Sequence, residues 1–302
     1  GYSHLGHIIE NAVIHHALWQ KAQSCSDVTL MAPAQIQQVA WGENEAFITL
    51  QSGDMLTARL VVGADGANSW LRNKADIPLT FWDYRHHALV ATIRTEEPHG
   101  GVARQIFHND GILAFLPLDG PQGHGVAVVW SVQPALAQEL QALDDESFAR
   151  RLLAASQGTL GALRTRGARV TWPLQYAQAR HWCGALAGQQ GASWALAGDA
   201  AHNVHPLTGQ GLNLGLGDVQ TLARILQERD YWRSPADLKL LRQYERERKA
   251  SLAPMGLAMD GLQQLFARRE APLQALRNWG MKGFERSGPL KEWMARQAMG
   301  TH

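Results

Sequence analysis

The segment at residues 195–218, with the sequence ALAGDAAHNVHPLTGQGLNLGLGD, constrains this chain more than any other feature. An apolar strand leads to Gly198 and Asp199, and a helix then begins among glycines at positions 209, 211, 215 and 217. Because a glycine in a helix interior costs about 1 kcal/mol relative to alanine, an ordinary turn explains this pattern poorly. A loop that leads into a helix presents backbone N–H groups and the positive end of the helix dipole. The segment therefore predicts a binding loop for an electron-rich ligand.

The chemistry of the residues in this segment indicates what kind of ligand it would hold. Asp199, at the end of the strand, is placed to bind a sugar hydroxyl. Gly209 and Gly211 let the backbone lie flat against a planar ring, and Asn213 offers an amide to the polar edge of that ring. The segment thus favours a ligand that has both a sugar and a planar ring.

A second segment, GADGANSWLR at residues 63–72, has a similar pattern earlier in the chain. A buried strand ends in small residues, and Asp65 and Gly66 follow at its carboxyl end, which is where cofactors bind in α/β sheets. Gly66 allows a phosphate or ribose to approach the backbone, and Asp65 can accept hydrogen bonds from hydroxyl groups. An ordinary strand-to-helix turn is the alternative that this segment alone leaves open.

Together the two segments resemble the paired motifs of the FAD-dependent aromatic-ring hydroxylases, the class A flavoprotein monooxygenases. The run at 205–218, HPLTGQGLNLGLGD, is similar to the narrower signature of the ubiquinone-biosynthesis hydroxylases, and within that branch to the 2-octaprenylphenol hydroxylases. The resemblance implies that Pro206 shapes the wall near the reactive edge of the flavin, and it implies no certain catalytic residue. The residues that it implies for FAD binding are Asp65, Gly66, Gly198, Asp199, Gly209, Gln210, Gly211, Leu212 and Asn213.

The order of strands and helices predicts an α/β fold with α+β character. It consists of an incomplete Rossmann-like FAD-binding domain, a mostly antiparallel sheet that forms a substrate domain, and C-terminal helices. Strand-like runs in the first part, at 28–31, 34–41, 46–50 and 55–62, indicate a β-meander. Two helical segments, near 134–142 and 146–156, interrupt the antiparallel sheet. We expect residues 1–78 and 186–250 to form the two halves of the FAD-binding domain, residues 79–185 the substrate domain, and residues 251–302 a C-terminal helical region with a break at Pro254.

Members of this family begin with a βαβ unit whose GxGxxG turn binds the FAD pyrophosphate. This chain contains no GxGxxG sequence, and the run that begins like one at Gly209 has Leu214 where the third glycine would stand. We therefore expect the chain to be a fragment, cut inside the flavin domain of a protein roughly a third longer. As such a fragment it would bind FAD weakly or not at all.

The resemblance also implies a reaction. Flavin reduced by NAD(P)H or by a protein electron donor reacts with O2 to a C4a-hydroperoxide, which transfers one oxygen atom to the ring of a polyprenylphenol. The antiparallel sheet would close the far side of the substrate cavity, and its candidate lining residues are Phe107, Phe115, Leu116 and Trp130. Packing in the core of the sheet is the alternative for each of these four side chains.

Composition excludes several classes of protein. With 28 basic and 27 acidic residues the net charge is +1, which argues against a nucleic-acid-binding protein. Cys25 and Cys183 lack CxxC spacing, so they suggest no disulfide framework, and the cytoplasm is the expected compartment. The histidines form no legible set of three or four ligands, so no metal site is predicted, and His202 is expected to order the flavin loop instead.

Charge is distributed unevenly along the chain. Residues 219–302 carry 15 basic and 9 acidic side chains, whereas residues 1–218 have a net charge of −5. The basic C-terminal helices would suit a peripheral contact with the inner membrane or with partners in a biosynthetic complex, and a solvated helical face is the plainer alternative. Homo-oligomerisation stays open.

Three other functions remain open from the sequence. The same fold would serve a hydroxylase of a small soluble aromatic compound, or a related flavin-dependent reductase or epoxidase. A non-catalytic component of a biosynthetic assembly is the alternative from a different class. A long open apolar channel would favour a polyprenyl substrate, whereas a closed polar pocket would favour a small phenol.

Overall fold

The computed structural model describes residues 6–42, 44–108, 111–120, 122–185, 192–203 and 211–267, with side chains as far as residue 253. The chain divides into two compact units, one made of Glu10–Arg246 and the other of Gly1–Ile9 with Glu247–His302. The larger unit contains all the sheets that follow. The mixed α/β architecture predicted from the sequence is confirmed.

The larger unit begins with a helix and a small antiparallel sheet. Helix α1 spans Asn11–Gln23, and strands β1 (Ile36–Trp41), β2 (Ala46–Leu50) and β3 (Met55–Ala58) pair in sequence order as the predicted meander. The turn between β2 and β3 places Gly53 at φ +93°, a conformation that only glycine adopts without strain. The predicted strand at 28–31 is wrong, since these residues are exposed and outside any strand that the structure describes.

The apolar run predicted as one strand at 55–62 is divided between two sheets. The first half is β3, and the second half is strand β4 (Leu60–Gly63), which is followed by the short helix α2 (Trp70–Lys74). A pattern of apolar residues does not reveal this division, because the two halves are nearly continuous in sequence and differ in the strands with which they pair.

A six-stranded sheet forms the middle of the chain. Its strands β5 to β9 span Leu79–Thr95, Arg104–His108, Gly111–Pro117, Gly125–Val132 and Leu163–Ala179, and the helices α3 and α4 between β8 and β9 span Pro134–Ala142 and Asp145–Ala155. The sixth strand, β12, is the later two-residue strand His202–Asn203, and the strand order is β12-β9-β5-β8-β7-β6, with every described pair antiparallel. The antiparallel sheet and both of its helices were predicted from the sequence, and they are confirmed.

The last part of the larger unit returns to the region of β4. Strands β10 (Cys183–Ala185) and β11 (Ser193–Leu196) form a three-stranded sheet with β4, in which β11 runs parallel to β4. A single 3-10 turn at Gly198–Ala200, the two-residue strand β12 (His202–Asn203) and helix α5 (Gly211–Gln227) follow. Helix α6 spans Leu238–Ala267, so the predicted break at Pro254 is wrong. A proline removes one N–H donor, and strong helix formers on both sides of it allow the helix to continue.

The main hydrophobic core lies between one face of the six-stranded sheet and helices α3 and α4. Side chains from β5, β7 and β8 pack against Phe148 and Leu152 of α4, both of which are fully buried. Each buried side chain of this size stabilises the fold by about 1.5–3 kcal/mol. The strand residues of this core are Leu89, Ala91, Ile93, Leu113, Phe115, Val126, Val128, Trp130 and Val132.

Candidate functional site

The parallel pairing of β4 with β11 brings the two glycine-containing segments together. Gly63, the last residue of β4, is paired with Leu196, the last residue of β11, and the Ala197 amide donates to the Gly63 carbonyl at 2.9 Å. The loops that begin at 64 and 197 therefore leave the same edge of the sheet side by side. This carboxyl edge is the position at which open α/β sheets bind ligands.

Asp65, in the first of these loops, caps the helix that follows it. Its Oδ2 accepts the backbone N–H of Trp70 at 2.7 Å and that of Leu71 at 3.3 Å, while the Ser69 hydroxyl accepts the N–H of Arg72 at 3.1 Å. A carboxylate at this position satisfies orphan amides of the first helical turn. The structure thus gives Asp65 a capping role, and its binding of a cofactor hydroxyl stays a prediction.

Arg72 connects the two loops, a role that the sequence did not reveal. The side chain is 5% exposed, and its guanidinium donates to the carbonyl of Ala200 at 3.0 Å and to that of Ala67 at 2.5 Å. Burial lowers the pKa of Arg72, and the nearby Asp65 charge partly opposes that shift. An arginine in a short helix usually points to solvent, so the contact with a residue 128 positions away had no sequence signal.

The second loop makes a tight turn against helix α5. Gly198 has φ +60°, in the left-handed region, and its amide donates to the Asp218 carboxylate at 2.8 Å. A Cβ placed on Gly215 would lie 3.3 Å from the Gly198 Cα, so the turn and the helix touch through their backbones. Asp199 is exposed on this turn, between the packed Gly198 and the buried Ala200.

A buried group of side chains supports the turn from within. Asp218 is fully buried, and its Oδ2 also lies 2.7 Å from Nε2 of His202, which is 3% exposed. The His202 ring stacks on Trp182 with 4.9 Å between ring centroids, and Trp182 contacts Tyr244. The Tyr244 hydroxyl donates to the Leu196 carbonyl at 2.8 Å, at the end of β11. The sequence predicted none of these contacts, although His202 and Asp218 lie in the segment it singled out.

The first turn of α5 is the part of the site that fits a planar cofactor. The described part of α5 begins at Gly211, and Leu212 and Asn213 follow in its first described turn. A Cβ placed on Gly211 would meet no atom of the described residues within 4 Å, so none of these residues requires glycine there. Gly66 of the other loop, at φ +82°, likewise borders open space. The predicted residues Pro206, Gly209 and Gln210 lie outside the described residues.

The four predicted substrate-lining residues lie on two different faces of the six-stranded sheet. Phe115 (1% exposed) and Trp130 (7% exposed) belong to the core against α3 and α4, so their side chains lie on the face of the sheet that these helices cover. Phe107 and Leu116 lie on that opposite face, where Phe107 pairs with Ile112 and is 47% exposed. For Phe115 and Trp130 the alternative of core packing is therefore correct, and only Phe107 and Leu116 stay candidates for substrate contact.

The described part of the chain has neither a metal-binding cluster nor a membrane-spanning helix. Its histidine, cysteine and acidic side chains include no cluster of three that could bind a metal ion. None of its helices combines the length and the apolar character that crossing a lipid bilayer would require.

Comparison with known proteins gives an independent view of the site. Residues 14–255 match the family model of the FAD binding domain, a range that contains both glycine segments and the six-stranded sheet. The chain is 33% identical over 297 residues to 3-demethoxyubiquinol 3-hydroxylase of Escherichia coli, with 98% of this chain and 73% of that protein covered. It is 34% identical over 298 residues to the ubiquinone hydroxylase UbiL of Rhodospirillum rubrum, covering 98% of this chain and 67% of the relative.

Solved structures share the fold at lower identity. The Diels–Alderase of the pyrroindomycin pathway superposes with a TM-score of 0.71 at 24% identity, covering 97% of this chain and 61% of that structure. At this identity the likeness concerns the fold alone. The chain spans about three fifths of that protein and between two thirds and three quarters of the two hydroxylases.

Proposed function

Because the chain belongs to the FAD-dependent aromatic-ring monooxygenases, in the branch of the ubiquinone-biosynthesis hydroxylases, we propose that it hydroxylates the ring of a polyprenylphenol. The observation that carries the proposal is the first turn of α5. There the first described residues of α5, a glycine whose Cβ would meet no described atom and the exposed Asp199 turn belong to one compact part of the fold. Such an arrangement fits the ring and the sugar chain of a flavin.

Each part of the site would have a separate task. The N–H groups of Gly211, Leu212 and Asn213 would bind the polar edge of the flavin ring, and Asp199 would accept a hydrogen bond from a hydroxyl of the ribityl chain. Gly66 would let the other loop approach the cofactor closely. When bound and reduced, FAD supplies the activation of O2, and the protein supplies orientation and the exclusion of water.

The substrate would lie between the flavin and the exposed face of the six-stranded sheet. Phe107 and Leu116 are apolar residues of that face, and they suit an aromatic ring with a hydrocarbon tail. One relative is named a 3-demethoxyubiquinol 3-hydroxylase and the other a ubiquinone hydroxylase. We extend that substrate class to this chain, with 2-octaprenylphenol as the first compound to test.

The test uses the protein produced with any residues that precede Gly1 in its gene. It is titrated with FAD, and then supplied with O2, 2-octaprenylphenol or demethoxyubiquinol, and NADPH, NADH or a reduced ferredoxin system as electron donor. We expect a yellow protein that forms a product 16 mass units heavier than its prenylated substrate. Small phenols that react faster than prenylphenols would support a soluble aromatic substrate instead. Protein without flavin in this form would support a structural role in an assembly.

We also propose that the basic C-terminal region binds an anionic surface, either the inner membrane or an acidic partner in a biosynthetic complex. Residues 219–302 have an excess of basic side chains, and the reaction proposed above needs access to a lipid-soluble substrate. Co-sedimentation with vesicles that contain phosphatidylglycerol should decrease as salt is raised, and vesicles of phosphatidylcholine alone serve as the control. Equal sedimentation with both would exclude an electrostatic contact.

A further inference from the structure

The carboxylate of Asp218 connects the two elements that would hold the cofactor. Asp218 lies two turns along α5 from Gly211, and its Oδ2 accepts the amide of Gly198 at 2.8 Å. The helix whose N-terminus would face the flavin ring is thereby fastened to the turn that carries Asp199. The distance between these two elements decides whether one ligand can contact both.

His202 fastens the other end of the same turn to the same oxygen atom. Its Nε2 lies 2.7 Å from Asp218 Oδ2, and because a carboxylate can only accept, Nε2 is the donor. The ring is also held flat against Trp182 by stacking. One buried oxygen atom therefore accepts hydrogen bonds from two residues. One is Gly198, the first residue of the 3-10 turn, and the other is His202, the first residue of β12, which follows it.

Two features of this pair are poorly explained by stability alone. A fully buried carboxylate is expensive to desolvate, and an apolar pair of similar volume often stabilises a protein equally well or better. In addition, Nδ1 of His202 is buried and has no hydrogen-bond partner in the described structure. Unsatisfied buried polar atoms are rare in folded proteins and call for a reason beyond packing.

We propose that Asp218 and His202 are positioning residues of the cofactor site. They set the position of the Gly198–Asp199 turn relative to the first turn of α5, and through that turn they determine the affinity for FAD. The inference rests on the proposed function for the identity of the ligand. The hydrogen bonds themselves can be tested on the protein without any ligand.

The variants keep the approximate size of each side chain and change the hydrogen bonds that it can make. Asp218→Asn keeps an oxygen at the same position, which can still accept from both the Gly198 amide and Nε2 of His202, so FAD affinity should stay within about threefold of wild type. Asp218→Leu has a similar volume and no acceptor, and FAD affinity should fall about 50-fold. His202→Phe keeps the stacking on Trp182, loses one donor, and should give an intermediate loss of about tenfold.

A matched control removes a buried hydrogen bond elsewhere. Thr95 is 3% exposed in β5, and its hydroxyl donates to the Glu97 carbonyl at 2.6 Å. Thr95→Val should lower the unfolding midpoint without changing FAD affinity or the visible circular dichroism of the bound flavin. A loss of affinity in Thr95→Val equal to that in Asp218→Leu would mean general destabilisation, and it would overturn the proposal.

Amide hydrogen exchange on the protein without FAD provides the second measurement. Peptides that cover residues 198–203 should exchange faster in Asp218→Leu than in wild type, and at close to the wild-type rate in Asp218→Asn. Unchanged exchange in Asp218→Leu would overturn the inference even if FAD binds. Wild-type protein that binds no FAD would overturn the proposed function and the cofactor role of the pair, while the exchange result would still decide whether Asp218 holds the turn.

Discussion

Gly215 and Gly211 of α5 have different surroundings. Gly215 faces the Gly198 turn, and a Cβ there would lie 3.3 Å from the Gly198 Cα, so the packing of the protein itself favours glycine. A Cβ at Gly211 would meet nothing within 4 Å. Since glycine disfavours a helix relative to alanine, and no described residue needs the space beside Gly211, we expect that space to be taken by the ligand.

Gly211→Ala therefore separates folding from cofactor binding. The methyl group meets no described atom and alanine is the better helix former, so the free energy of unfolding should stay at the wild-type value or rise by up to about 1 kcal/mol. FAD affinity should fall about tenfold or more, because the methyl group occupies the space that the ring would take. Urea unfolding without FAD and fluorescence titration with FAD measure the two quantities. An unchanged affinity would remove the flavin ring from the first turn of α5.

Arg72 has a structural role at the same edge of the sheet. Replacement by methionine removes the donors to Ala67 and Ala200 while keeping a long apolar stem, and we expect a loss of about 3 kcal/mol in the free energy of unfolding. Lysine reaches at most one carbonyl well and should give about half that loss. The exposed Arg94, replaced by methionine, serves as the control. Urea unfolding that gives the same midpoint for Arg72→Met as for Arg94→Met would contradict the role of the two bonds.

At the scale of elements, the six-stranded sheet presents two faces with different tasks. Antiparallel register fixes which residues share a face, so Phe115 lies with Val128 in the core, whereas Phe107 lies with Ile112 on the opposite side. Neighbours in sequence such as Phe115 and Leu116 therefore belong to different environments. Composition alone identifies all of them as apolar strand residues and does not show which face of the sheet each occupies.

Alanine substitutions on the two faces should change different quantities, the free energy of unfolding on the core face and the KM on the other face. Phe115→Ala opens a cavity in the core and should reduce the free energy of unfolding by about 3–4 kcal/mol. Phe107→Ala, on the exposed face, should cost less than about 1 kcal/mol and should raise the KM for a prenylphenol. Thermal unfolding and steady-state kinetics test both. A KM unaffected by Phe107→Ala would remove this face from the substrate cavity.

Local patterns in the sequence predicted most of the elements, and tertiary contacts decided the rest. Alternation and turn residues indicated the meander, strands of the large sheet and its two helices. Strand β9 has a sequence with many polar residues, a glycine and a proline, and it is a strand because β5 pairs with nearly all of it. The glycine segments marked the site, but the bond from Arg72 to Ala200 and the pair of Asp218 with His202 depend on chain folding that no local pattern encodes.

For the molecule as a whole, the candidate site is formed by segments that are far apart in the sequence. The loop after β4, the turn after β11 and the first turn of α5 belong to one sheet edge, held by backbone pairing, Arg72 and Asp218. A ligand that contacts all three must stabilise them together, because none of them can move away without losing its contacts to the ligand. Binding should therefore act on folding as well as on the site.

FAD should stabilise the protein by simple mass action. At free FAD one hundred times its dissociation constant, the free energy of unfolding should rise by about 2.7 kcal/mol, with a higher unfolding temperature to match. Hydrogen exchange should slow most at the same FAD concentration in peptides from 63–72, 198–203 and the start of α5, whereas α3 and α4, which pack on the far face of the large sheet, should show only the slowing that the higher global stability produces. ADP at the same concentration is the control, since it lacks the flavin ring. Protection confined to one of the three segments would mean that they do not form a common site, and the proposed arrangement around the flavin would have to be abandoned.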